Sequence, residues 1–148
     1  PRVDIDLPAD YTAVKFYFND CFRNSAANRG FVERAIRALQ QEGPVISLST
    51  GISVDDHAPC EPDVAAMPGI HHLLVPENNL LVQSAIVARA PRFVGTYGGF
   101  AYLAPFYGVR TESYYTEPHA FSVRHLDLAW DVFATTPGCG ELRVTAVS

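Results

Sequence analysis

Phe93-Val94-Gly95-Thr96-Tyr97-Gly98-Gly99-Phe100 is the stretch on which the reading of this chain turns. An apolar run leads into two adjacent glycines, and a short apolar segment through Phe106 follows. This pattern predicts a strand over residues 92–96 and a helix from Gly98-Gly99 to Phe106, joined by a sharp corner. Glycine lets a backbone approach a ligand closely, and a helix start offers unpaired N–H groups and a partial positive charge. The corner therefore has two readings. It is either only a tight strand-to-helix turn, or a seat for a phosphate or diphosphate with the Thr96 and Tyr97 hydroxyls at its rim. A dinucleotide fingerprint needs different glycine spacing and an early position in the chain, so NAD is disfavoured.

Working outward, strand and helix patterns alternate. Val14, Phe16 and Phe18 have period 2 and predict a strand over residues 11–18. Phe31, Ala35 and Leu39, flanked by Val32 and Ile36, predict a helix over residues 28–42 that Gly43-Pro44 ends. Strands are expected at residues 44–49 and 71–75, separated by a long irregular stretch over residues 50–69. Glu77 and Asn78 supply cap chemistry for a helix to about Ala90, with Leu81, Ala85 and Val87-Ala88 on its buried side, and Pro91 breaks it. After the central corner, Gly108 ends the short helix before a strand over residues 109–115. A helix over residues 118–133, with Trp130 and Phe133 as core, and a strand over residues 142–147 complete the order. Alternation of this kind implies right-handed crossovers and an α/β fold, a three-layer Rossmann-like sandwich with a mostly parallel sheet of five or six strands. Ligands of such sheets bind outside the carboxyl ends of the strands.

The 148 residues are 48% hydrophobic and 18% charged, which fits one globular α/β domain over residues 1–148. A net charge of −5, with Lys15 as the only lysine and no basic run, excludes a nucleic-acid-binding stripe. Cys21, Cys60 and Cys139 form no C-x-x-C pair and read as reduced cytoplasmic thiols. No apolar stretch approaches the roughly 20 residues of a membrane span. Because the chain opens at Pro1, without an initiator Met, it is expected to be a piece of a longer protein.

Several side chains are candidates for chemistry, each with a plainer alternative. Lys15, in the first strand on the face opposite Val14, is either a point charge for a diphosphate or a lysine running to solvent. Arg23, in the next loop, has the same two readings. Glu77 either holds ribose hydroxyls or only stabilises a helix start. Asp55-Asp56-His57 with Cys60 lacks the paired spacing of a zinc site, so no metal is expected; Asp55 or Asp56 is better suited to a hydroxyl contact, or to a solvated turn. His71 and His72 point to opposite faces of a strand and cannot share a metal. His119, after the fifth strand, is placed to meet a phosphate or sugar, or else only starts a helix. His125 reads as structural or exposed. No cofactor and no catalytic base is indicated.

The segment from Asn79 to Tyr115 resembles the nucleotide-sugar half of GT-B glycosyltransferases, particularly the heptosyltransferase-like branch. Val94-Gly95 matches the strand end, Gly98 the turn glycine, Leu103-Ala104 the Leu-Ala of the helix, and Tyr107-Gly108-Val109 the exit. Thr96 and Tyr97 stand where that branch has Asp and Ser/Thr, and Tyr102 stands where it has His. The resemblance implies a C-terminal domain that binds a nucleotide-diphosphate sugar and works with a preceding N-terminal domain. On that basis Gly98 and Gly99 face the diphosphate, the Thr96 and Tyr97 hydroxyls assist, and Glu77 stands at the place of the ribose contact. Two alternatives share parts of this scaffold: a nucleotide-sugar 2-epimerase half, and a flavodoxin-like or receiver-like regulatory domain with Asp20 as phosphoacceptor.

Overall fold

A computed structural model describes residues 4–48, 57–60 and 78–147. Among the described residues, five parallel strands form the sheet: β1 (Thr12–Lys15), β3 (Val45–Ser47), β5 (Arg92–Thr96), β6 (Arg110–Tyr115) and β7 (Leu142–Ala146). Their spatial order is β3-β1-β5-β6-β7. The described helices are α1 (Ala26–Glu42), α2 (Asn79–Arg89), α3 (Gly99–Phe106) and α4 (Val123–Thr135). The fold is the expected α/β, Rossmann-like arrangement.

Strand alternation divides the core. Val32, Ile36 and Leu39 of α1 cluster with Val14, Val45 and Val94. On the other side of the same strands Ala13, Ile46 and Phe93 cluster with Val82, Ile86 and Val87 of α2 and Ala104 of α3. Each large apolar side chain so buried contributes about 1.5–3 kcal/mol. Beyond them, α4 packs on α3, with Phe133 and Phe106 ring centroids 5.1 Å apart. From β1 the chain reaches β3 in one direction, whereas β5, β6 and β7 follow in the other. The strand order therefore reverses at β1, and the adjoining carboxyl ends of β1 and β5 form the crevice where such sheets take ligands.

The central corner has the expected bounds: β5 ends at Thr96 and α3 begins at Gly99. Gly108 follows with φ 80°, a left-handed conformation that glycine adopts freely. Helix α1 starts two residues before the expected position because Ser25 caps it, accepting a bond from the Asn28 N–H at 3.1 Å.

Other boundaries differ. The strand expected over residues 11–18 breaks at Phe16, and β2 (Tyr17–Phe18) turns away to pair antiparallel with β4 (Ala58–Pro59). A side chain from β5 causes the break: the Thr96 hydroxyl accepts from the Tyr17 N–H at 3.1 Å and donates to the Tyr17 carbonyl at 2.8 Å. Leu81 is 51% exposed rather than buried, because the inward face of α2 runs through Val82, Ala85 and Ile86. The helix expected over residues 118–133 is a 3-10 turn, Pro118–Ala120, followed by α4. Trp130 is 42% exposed rather than core, lying over the sheet edge with its indole N–H donating to the Leu142 carbonyl. The expected strand at residues 71–75, with His71 and His72, lies outside the described residues.

Candidate functional site

The crevice at β1 and β5 is assembled from three short pieces of chain. Thr96 clasps the Tyr17 backbone, and this anchors Tyr17 directly over the corner. A Cβ at position 98 would overlap the Tyr17 hydroxyl, so close approach of that ring requires the glycine. Gly99 is different. It is exposed, and a Cβ there would meet nothing within 4 Å among the described residues. The first glycine closes the corner and the second leaves room above the α3 start, whose first N–H groups lack partners within the helix.

Lys15 is the last residue of β1 and lies opposite Gly95 of β5. Alternation places it on the Ala13 side of the sheet, beneath α2 and α3. There its Nζ donates to the Gln83 side-chain oxygen and lies 4.4 Å from the centroid of the Phe100 ring, in the first turn of α3. No carboxylate pairs with it among the described residues. Burial pulls its pKa from the ordinary 10.5 to about 8.

Gln83 is itself only 3% exposed, and its amide N–H donates to the Asn79 side-chain oxygen. The resulting chain, Lys15 to Gln83 to Asn79, is neutral apart from the ammonium. Gln83 was not among the expected site residues. Its signal in the sequence is a single amide set among Leu80, Leu81, Val82, Ala85, Ile86 and Val87.

The remaining expected residues are distributed around this edge. The Thr96 side chain is fully buried, and the hydroxyl expected at the ligand rim binds the Tyr17 backbone instead. Tyr97 is buried, its ring centroid 4.6 Å from that of Phe121, and its hydroxyl bonds to that of Tyr102. Burial, then the neighbouring Tyr102 hydroxyl, raises its pKa, so it stays protonated at neutral pH. His57 reaches Tyr17 through the β2–β4 ribbon, with ring centroids 4.6 Å apart.

On the far side of the crevice, the loop after β2 interlocks with the loop after β6. The Thr116 and Glu117 N–H groups both donate to the Cys21 carbonyl, at 2.8 and 3.0 Å. Arg23 lies 3.9 Å from Glu117 in an exposed pair, which contributes little. Asp20 and His119 are exposed on these loops, and His125 is exposed on α4. Burial raises the Cys21 thiol pKa, despite its bond to the Asn19 amide oxygen, so this cysteine is an unreactive packing residue. Asp55, Asp56 and Glu77 lie outside the described residues. Among the described residues no cluster of three or more His, Cys, Asp or Glu is placed to hold a metal.

The structure thus brings Lys15, Gly98 and Gly99 to one edge, with Gln83, Phe100, Tyr17 and His57 around them. Comparison with protein-family models, curated proteins and solved structures gives no match. Among the described residues, no helix is long and apolar enough to cross a membrane.

Proposed function

We propose that this chain binds the diphosphate of a nucleotide sugar at the β1/β5 crevice, as the donor-binding domain of a glycosyltransferase. The observation that carries the reading is Lys15. A partly buried ammonium is costly without a carboxylate, and Lys15, which has none among the described residues, lies beside the start of α3 at the reversal of strand order. A diphosphate supplies the missing negative charge to both. The GT-B-like run through Gly98 and Leu103-Ala104 supports the sugar-nucleotide character of the ligand. In such a domain Lys15 and the α3 start favour departure of the nucleotide diphosphate by stabilising the charge that develops on it. The acceptor and the base that activates it belong to a partner domain in this reading.

Lys15 also supplies the test, because [13C]lysine labelling gives a single side-chain spectrum. Titration with UDP, GDP or ADP is expected to raise the Lys15 pKa above about 8. Linkage then makes nucleotide affinity fall as pH rises through that value. The groups contacting the ammonium are Gln83 of α2 and Phe100 of α3, neither of which titrates. By calorimetry, Gly99→Val is expected to weaken nucleotide binding while leaving the melting temperature nearly unchanged, since position 99 is open. An unmoved Lys15 signal across the nucleotide panel would exclude the site.

A further inference from the structure

We infer that Gln83 is a positioning residue that fixes the Lys15 ammonium at the crevice without neutralising it, so that the cation stays available to a phosphate-bearing ligand. The inference rests on the donor-site reading above and adds a residue to it.

An ammonium has three N–H donors and no acceptor. One goes to the Gln83 oxygen, and the Phe100 ring takes another side of the charge. No further acceptor for it occurs among the described residues. Gln83 cannot swing away freely, because its amide nitrogen is tied to Asn79 one helical turn earlier and the side chain is buried. With the nitrogen donating to Asn79, the oxygen faces Lys15.

Glutamate would have nearly the same shape at this position and would bind an ammonium more strongly. It would also fill the electrostatic role that a phosphate would otherwise take. A buried amide is costly unless bonded, so its placement here calls for a role that leucine or glutamate would not serve. Holding a cation while leaving its charge unmatched is such a role.

The experiment compares wild type, Gln83→Glu and Gln83→Met on the whole chain, following the Lys15 13Cε shift against pH and UDP binding by calorimetry. For Gln83→Glu the Lys15 pKa is expected to climb from about 8 toward the ordinary 10.5. UDP affinity is expected to fall about tenfold or more, because the site then carries its own counter-ion. Gln83→Met keeps the length without an acceptor or charge, and is expected to leave the pKa at or below about 8 and to weaken UDP about threefold through loss of the tether. An unchanged Lys15 titration in Gln83→Glu overturns the inference. If that variant does not fold, unaltered UDP affinity in Gln83→Met overturns it instead. A wild-type chain that binds neither UDP, GDP, ADP nor inorganic phosphate overturns the donor-site reading, whatever the Lys15 titration shows.

Discussion

The two ends of the sheet each hold a partly buried cation, and they treat it in opposite ways. At the amino end Arg92 lies beside a cavity of about 400 Å³ lined by Asp10, Tyr11, Glu42, Arg92 and Arg110, among others. Its guanidinium is matched by Glu42 at 2.8 Å and Glu112 at 3.0 Å. Burial works against that charge, but the two carboxylates more than offset it and hold the pKa above its ordinary value. At the carboxyl end Lys15 has an amide and an aromatic face, and its pKa falls. A cation that serves the fold is given its counter-ions by the fold. The proposed donor site rests on the one that has no counter-ion among the described residues. The amino end has a cavity and a neutralised cation, whereas the carboxyl end, where strand order reverses, has a cation held by neutral groups.

Substitution of each cation by methionine tests this contrast most directly. Arg92→Met leaves Glu112 partly buried and unmatched, and is expected to lower stability by about 2–3 kcal/mol in urea unfolding. Lys15→Met removes a charge that no carboxylate matches among the described residues and is expected to change stability by the opposite sign, a gain of about 1 kcal/mol, while abolishing nucleotide binding. Equal destabilisation by both would erase the distinction between the two ends.

The corner glycines give the next effect. Gly98→Ala is expected to cost about 1–3 kcal/mol through overlap with the Tyr17 hydroxyl, and Tyr17→Phe in the same chain should recover part of that loss. Additive losses in the double variant would show that Tyr17 is not the obstacle. A subtler contrast is in pH. Between about 8 and 10.5 the unfolded chain keeps a proton on Lys15 that the folded chain has released, so stability contributed by this group rises with pH across that window. Denaturant melts should show the rise in wild type and lose it in Lys15→Met. Gly99→Ala is the smallest effect, expected within about 0.5 kcal/mol of wild type.

Much of the fold was legible in the sequence because local signals agreed with it. The strand and helix around Gly98-Gly99 have their expected bounds, since apolar run, glycine pair and following helix all act within a few residues. The break after Lys15 was not legible. It depends on a threonine 79 positions away that replaces ladder bonds of Tyr17 with a side-chain hydroxyl. For the same reason Thr96 looked like a ligand contact, as its position in the strand says nothing of a distant backbone already bonded to it. Lys15 could be assigned to the face opposite Val14 from alternation alone. Its exchange of solvent for Gln83 and Phe100 depends on the inward face of α2, where the sequence pattern was right at Ala85 and Val87 but buried Leu81 in place of Val82.

The Thr96 clasp also bears on the order in which the molecule is made. Strand β1 pairs with β3 on one side and with β5 on the other, and the β5 residues come more than 70 positions later in the chain. During synthesis from the amino end, β1 and β3 can associate through α1 while the other edge of β1 stays open. The Thr96 hydroxyl, which bonds both the Tyr17 N–H and the Tyr17 carbonyl, joins them only once residue 96 emerges. An interior strand of the finished sheet is thus, for much of its biosynthesis, an open sheet edge, and the strand that ends this exposure also brings the threonine that completes the corner of the crevice.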